Sequence, residues 1–484
     1  MEKYTKIVAT IGPASCHSDV IRSLCDAGVN AIRVNLSHGD RISQSEYIKT
    51  IRQMDPNFPI ILDTKGPEIR TGQMQNNPMH VDSGAEYHLT FSDAQTTLSA
   101  IPVDYPFLHE VLSGTRILFD DGLVESQAIR VRKNGLIVRM MNDGPIGTGK
   151  KVTIQGHRVK LPFLTERDKQ DMLFVIENNI HIIAASFVRS GDDVRSLRAF
   201  FADHGAKVIV FSKIEHREAV DNLSAILDQS DGIMVARGDL GVELPLEEVP
   251  EIQEKIIRQC NQAGKPVIVA TQMLESMRES PRPTRAEVND VAHAILQGAD
   301  AIMLSAETAT GAYPERSVAM MNLIARRYEK GVKGVVQKYR RAEERGKDGI
   351  ARYIAKAAYY AADELGAKAI LTPTETGFTA RNVSRFKPNC PILASTKAPS
   401  VVQFLHLVRG VFPMLDAGAF LDLNHYDMSF QLIHQYFEAG ILTIDDRIII
   451  TSGSNLMTKR GTNLLEIYTV RDIIRDKMNI RQAI

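Results

Sequence analysis

The sequence has no tryptophan, only four cysteines, no excess charge of either sign, and no apolar run approaching the ~20 residues that span a bilayer. The missing tryptophan decides nothing about function. Cys16, Cys25, Cys260 and Cys390 are scattered and form no CxxC pair. That argues against a zinc site and a disulfide framework and points to a reducing compartment. Lys plus Arg equals Asp plus Glu at 58 each, so the formal net charge is zero. A general nucleic-acid binder normally carries a basic excess, so no nucleic-acid partner is expected, while local basic clefts for small phosphates stay open. The opening MEKYTKIVATIG lacks the long apolar core of a signal peptide. The expectation is a cytoplasmic chain that makes no membrane contact.

Composition is that of a folded protein, 44% hydrophobic and 24% charged over 484 residues, which at roughly 100–200 residues per domain gives two to four domains. Short apolar, β-branched runs recur at Lys6–Ile11, Ala31–Leu36, Ile60–Thr64, His181–Phe187, Lys207–Ile214, Gly232–Ala236, Pro266–Thr271 and Ala301–Ser305. Continuous runs of this length fit strands buried on both faces of a parallel sheet. Helical patterns lie between them, so eight strands alternating with helices predict a (β/α)8 TIM barrel. One long interruption, 73–156, has short alternating strands with Gly, Asp and Asn turns and is read as a separate small β-barrel domain inserted into a barrel loop. The barrel thus comprises 1–72 and 157–336. A charge-dense linker at 336–347 leads to an independent C-terminal α/β domain, 345–484.

In a (β/α)8 barrel, polar side chains at the C-terminal strand ends face the active site. Here those ends carry Arg33, Asn35 and Ser37; Asp63, Lys65 and Glu68; Lys213 and Glu215; Arg237, Gly238 and Asp239; Thr271; and Ser305 with Glu307. A single such residue is more often solvated or salt-bridged, but recurrence on six strand ends, inside apolar runs, calls for a shared polar pocket. Lys213 and Glu215 are two apart on a strand and point the same way. Fixed cations at Arg33, Arg70 and Lys213 suit phosphate, the carboxylates of Glu215 and Asp239 suit Mg2+, and the Thr271 and Ser305 hydroxyls suit proton passage. Gly144–Lys151 reads GPIGTGKK, which imitates a P-loop, but Lys151 stands where Ser or Thr belongs and VTIQ then reads as a strand.

The segments TKIVATIGPAS (Thr5–Ser15), NLSHG (Asn35–Gly39), LDTKGPEIRTG (Leu62–Gly72), SKIE (Ser212–Glu215) and MVARGDLG (Met234–Gly241) resemble the pyruvate kinase family. So do GKPVIVATQMLESM (Gly264–Met277), PTRAEVNDVA (Pro283–Ala292) and MLSAETATG (Met303–Gly311), and the resemblance, of the bacterial type, runs end to end. It implies transfer of the phosphoryl group of phosphoenolpyruvate to ADP, giving pyruvate and ATP, the last step of glycolysis, with Mg2+ (or Mn2+) and K+. Arg33 would bind the phosphoryl group, Glu215 and Asp239 the Mg2+, and the Gly238 and Asp239 N–H groups with Thr271 the substrate carboxylate. Lys213 would stabilise the enolate, with Ser305 and Glu307 behind Thr271 on the proton path. Asn35, Ser37, Asp63 and Thr64 would coordinate K+, while Asn35, His38, Arg70, Lys150 and Lys151 belong to the nucleotide side and Asp120 to the lid. In this family Glu after KGP marks potassium dependence, so Glu68 implies a potassium requirement.

The resemblance also implies a homotetramer and a phosphorylated effector held by the turn TPTETGFTAR (Thr372–Arg381), through Thr374, Thr376, Gly377 and Thr379; the plain alternative is an N-cap by Thr379. Glu375 in that turn, and only Lys459 and Arg460 in the late loop, leave a sugar monophosphate or AMP as eligible as fructose 1,6-bisphosphate. Two rival readings are a Schiff-base aldolase with Lys213 as nucleophile and a catalytically silent metabolite sensor.

Overall fold

The computed structural model describes residues 3–74, 76–91, 100–132, 135–157, 160–334, 349–416, 425–453 and 461–475. The linker 336–347 and residues 454–460 of the late loop, with Lys459 and Arg460, lie outside them. Strands β1 (Lys6–Ile11), β2 (Ala31–Asn35) and β3 (Ile60–Asp63) open the chain. Eight short strands follow: β4 (Met79–Val81), β5 (Glu86–Phe91), β6 (Ala100–Val103), β7 (Arg116–Phe119), β8 (Val124–Arg132), β9 (Gly135–Met140), β10 (Gly144–Ile146) and β11 (Val152–Ile154). The chain then returns with β12 (Ile182–Ala185), β13 (Ile209–Ile214), β14 (Gly232–Ala236), β15 (Val267–Ala270) and β16 (Ala301–Leu304). Last come β17 (Ala369–Pro373), β18 (Ile392–Thr396), β19 (Val411–Leu415), β20 (Arg447–Ser452) and β21 (Leu464–Thr469).

Strands β1–β3 and β12–β16 close into one parallel barrel in the order β1-β16-β15-β14-β13-β12-β3-β2. The period-two alternation of a strand sorts their side chains. One set (Ile7, Ala9, Ile32, Val34, Ile60, Leu62, Ile183, Val210) packs outward under the helices. The other (Val8, Ala31, Ile61, Ile182, Ala184, Phe211, Met234, Ile268, Met303) fills the interior, joined from the C-terminal region by Phe404 and Leu407. Continuing each inward set toward the C-terminal end of its strand reaches Thr10, Arg33, Asp63, Ser186 and Lys213. The alternation that builds the core therefore also delivers the polar layer above it.

In the insertion, β5–β9 and β11 form a six-stranded sheet, order β11-β7-β8-β9-β5-β6, and β4 pairs with β10. Its own core centres on Tyr105, Phe119, Leu89 and Val138. The P-loop imitation is β10 followed by the turn into β11, with no helix after it. The C-terminal sheet runs β19-β18-β17-β20-β21, parallel except for β21 against β20. Strand β19 carries Pro413, which has no N–H for a ladder, and it lies at the sheet edge where proline is tolerated.

The C-terminal region seats against the barrel's N-terminal end. Lys6 Nζ donates to Val411 O at 2.6 Å, the Phe211 and Phe404 rings meet at 6.1 Å, and Lys387 pairs with Asp300 at 2.9 Å. Among the described residues no helix is long and apolar enough to cross a membrane.

Candidate active site

Arg33 and Lys213 converge on one carboxylate. Arg33 Nε meets Asp63 Oδ2 at 2.6 Å and its Nη1 donates to Thr10 Oγ at 3.0 Å. Lys213 Nζ lies 3.1 Å from Asp63 Oδ1, 2.8 Å from Glu215 Oε1 and 2.8 Å from Ser186 Oγ. Ser186 closes the circuit, 3.2 Å from Asp63 Oδ1. All are buried. Buried charges persist only when paired and hydrogen-bonded, and this cluster meets that requirement. Burial pulls the Lys213 ammonium down, but Asp63 and Glu215 outweigh it and hold the pKa above its ordinary value. Burial pushes Asp63 up, and Arg33 with Lys213 reverse that to hold it below the usual carboxylate range.

Glu215 stands just beyond β13, where its Oε2 accepts the Phe187 N–H at 2.6 Å. A hydrogen bond joins it to Asp239, on the helix Arg237–Glu243 that follows β14. Two carboxyls at one site push each other's titration apart. Burial drives Glu215 upward against the pull of Lys213. Asp239, also raised by burial, is brought below its normal value by Lys151 and Lys213. Lys151 reaches in from the lid, its Nζ on Asp239 and 5.3 Å from the centre of the Phe187 ring. A pair of adjacent carboxylates with flanking ammonium groups is a donor set that fits a divalent cation shared with phosphate oxygens.

Thr271 and Gln272, just past β15, have φ of 67° and 54°, a region non-glycine residues rarely adopt. Arg237 holds them there. Its Nη2 donates to Thr271 O at 2.7 Å and Gln272 O at 2.9 Å, while Nη1 pairs with Asp290 at 2.6 Å. Thr271 Oγ accepts the Gly238 N–H at 2.7 Å, so helix and threonine are locked together. Glu307 accepts N–H bonds from Leu274 at 3.1 Å and Ser305 at 2.7 Å, tying the Thr271 segment to the end of β16. Burial pushes Glu307 upward, and among the described residues the Ser305 hydroxyl is buried without a partner.

The residues expected around K+ cluster at the ends of β2 and β3, where Asn35 and Asp63 are register partners. The Ser37 N–H donates to Asn35 Oδ1 at 3.0 Å, and Ser186 Oγ donates to Thr64 O at 2.6 Å. Glu68 holds Arg70 through the guanidinium, 2.9 Å at Nε. Their loop is anchored at Gly66, whose N–H bonds Asp168 at 3.0 Å and whose φ of 69° suits glycine. A Cβ there would also sit 2.8 Å from the Phe187 ring. The lysine pair divides: Lys151 enters the cleft, whereas Lys150 pairs with lid Asp120 at 2.8 Å. His38 is exposed at the rim.

In the C-terminal turn, Thr374 Oγ accepts the Gly377 N–H at 3.0 Å and Thr376 is exposed. The N-cap of the helix Phe378–Ser384 is Gly377, with no side-chain cap. Thr379 is therefore not the cap; its hydroxyl lies 2.7 Å from that of Thr462 in the late loop.

Sequence reasoning missed Thr10 and Ser186, which complete the Arg33–Asp63–Lys213 cluster, and left Arg237 without a task. The signal for the first two was available, since each continues an inward-facing period-two set. It also passed over Asp121, which has φ of 54° and lies electrostatically close to Lys151 and Asp239.

Two family models match the chain: "Pyruvate kinase, barrel domain" over residues 2–318 and "Pyruvate kinase, alpha/beta domain" over residues 352–468. The pyruvate kinase of Bacillus licheniformis is 42% identical over 482 residues, spanning 97% of this chain and 81% of the relative. That of Geobacillus stearothermophilus is 40% identical, spanning 98% and 81%. The crystal structure of a pyruvate kinase from Cryptosporidium parvum superposes with a TM-score of 0.89 at 33% identity, covering 97% of this chain and 96% of that one. With the barrel, the lid and the cationic cluster in place, these likenesses make this chain a phosphotransferase that belongs to the pyruvate kinase family.

Proposed function

We propose that this chain moves the phosphoryl group of phosphoenolpyruvate to ADP, releasing pyruvate and ATP as the last step of glycolysis in the cytoplasm. The observation that carries this reading is the meeting of Arg33, Lys213, Glu215 and Asp239 at one barrel mouth, with Lys151 above them. Phosphoryl transfer needs positioning and charge neutralisation more than covalent chemistry. Arg33 orients the transferring group, and Lys213 meets the negative charge that develops on the enol oxygen. The Gly238 N–H and Thr271 hold the carboxylate end. Glu215 and Asp239 would hold a Mg2+ or Mn2+ ion, which would supply Lewis-acid charge neutralisation there. Thr271, with Ser305 and Glu307 behind it, brings the proton to the enolate carbon. Arg70, His38 and Lys151 serve the nucleotide, and Lys150, paired with Asp120, steadies the lid above it.

Asn35, Ser37, Asp63 and Thr64 form the proposed K+ site. Glu68 cannot replace that ion, because it is a carboxylate already committed to Arg70. Activity is expected to be high in K+, Rb+ or NH4+ salts and small in Na+ or choline salts. A coupled assay for pyruvate checks this; full activity in choline would remove the K+ site from the reading.

The assembly is read as a homotetramer activated by a sugar phosphate or AMP at Thr374, Thr376, Gly377 and Thr379. In support, among the described residues the hydroxyls of Thr372, Thr451 and Ser452, on the neighbouring strands β17 and β20, are buried without partners. A thermal-shift series of sugar phosphates and AMP tests it, a rise in melting temperature lost in Thr379→Val being the expected result.

A further inference from the structure

The lid returns to the barrel through Gln155 and Gly156, directly after β11. Gly156 has φ of 69°, a conformation glycine adopts freely and other residues resist. Both hinge residues are gripped from the barrel side. Gln155 Nε2 donates to Val242 O at 2.6 Å, and the Gly156 N–H faces the Glu243 carboxylate closely enough to favour its charged form. Val242 and Glu243 end the helix Arg237–Glu243, whose first turn carries Gly238 and Asp239. On the lid side, the Tyr105 hydroxyl lies 2.9 Å from His157 Nε2. The hinge peptide is thus held between lid core and substrate-facing helix.

Two features mark Glu243 as more than a helix end. Among the described residues its second oxygen, Oε2, is buried without a partner, a costly state that a residue serving only to finish a helix would avoid. Burial pushes its carboxyl up to about 7, with Lys151 and the Gly156 N–H opposing. Behind the hinge lies a cavity of about 190 Å³ lined by Gly156, His157, Arg189, His216, Arg217 and Glu243, which leaves the hinge peptide room to swing.

We infer that Glu243 is a positioning residue that clasps the lid hinge at Gly156 to the helix bearing Asp239, so that lid closure and the seating of Asp239 are one movement. The clasp acts through the hinge and touches no reacting atom. Its effect on the reaction rests on the function proposed above, but its effect on lid position does not.

The absence of tryptophan supplies the probe. Leu246 is 73% exposed and borders the groove between barrel and lid with Arg116, Leu118 and Asp121. A Leu246→Trp background therefore reports the width of that groove without any substrate. Adding Glu243→Ala is expected to shift the emission to longer wavelength. Adding Glu243→Gln, which keeps an acceptor for the Gly156 N–H, is expected to leave it in place. In turnover assays, Glu243→Ala is expected to raise KM for ADP about tenfold while KM for phosphoenolpyruvate moves less, with Gln restoring it. If Glu243→Ala does not fold, Gln155→Ala, which removes the second grip, is read the same way. Unchanged emission in the Ala variant, or equal damage from Ala and Gln, overturns the clasp. An emission shift in a chain that forms no pyruvate upholds the clasp and removes the proposed function instead.

Discussion

Lys213→Met is expected to cut pyruvate formation by roughly 10²–10³-fold or more, the loss typical when one aimed donor is removed from a developing oxyanion. Substrate binding should persist, because Arg33, Gly238 and Thr271 are untouched. Calorimetric binding of phosphoenolpyruvate beside a coupled assay separates the two effects, and near-normal turnover would refute the assignment. Stripping the partner from a buried charge typically costs ~3–5 kcal/mol of stability. Two features soften that here: Asp63 retains Arg33, and Glu215, already pushed upward by burial, readily takes a proton. The same contacts dispose of the Schiff-base aldolase. That chemistry requires a lysine whose pKa is lowered, and Asp63 and Glu215 together raise that of Lys213. Borohydride with pyruvate is accordingly expected to leave Lys213 unlabelled.

Asp300→Ala is expected to be the most destabilising single substitution at the junction of barrel and C-terminal region, by about 3–5 kcal/mol at neutral pH. Asp300 pairs with Lys387 at 2.9 Å, and both side chains are almost wholly enclosed. It also accepts the backbone N–H groups of Val267 at 3.1 Å and Arg409 at 3.2 Å, so its removal strands three donors. Burial already holds the Lys387 ammonium below its ordinary pKa despite Asp300, and Arg409 adds to that. Without Asp300 the shift grows. A base with a lowered folded pKa leaves the unfolded chain holding more protons, so stability rises with pH between the two pKa values. The deficit of the variant should therefore narrow as pH is raised from about 6 toward 9. Urea unfolding across that range checks it, and a deficit independent of pH would mean that Lys387 stays fully charged when alone.

Much of this was legible because barrel chemistry and barrel packing share one periodicity. The eight apolar runs were found within a residue or two of the observed strands, and the polar residues that ended them proved to lie at the barrel mouth. Thr271 and Ser305, read as strand ends, sit one residue beyond β15 and β16, where the chain has already turned. In strand β19, Pro413 argues against a strand until its place at the sheet edge is known. Other features were illegible for a physical reason: they are set by contacts remote in sequence. Nothing near Arg237 says that its guanidinium holds the carbonyls of Thr271 and Gln272, 34 and 35 residues away. Nor does GPIGTGKK reveal that Lys150 turns to Asp120 while Lys151 crosses 88 positions to Asp239.

Everything proposed for this site depends on Glu215 and Asp239 holding one divalent ion between them at the barrel mouth. Titration of the metal-free chain with Mn2+, followed by electron paramagnetic resonance, tests it without reference to turnover. One ion is expected to bind per chain in the wild type, and the Glu215→Gln/Asp239→Asn variant is expected to bind it at least ~10–100-fold more weakly, the loss seen even when outer-shell partners of a metal are removed. Equal Mn2+ affinity in the two proteins would contradict it.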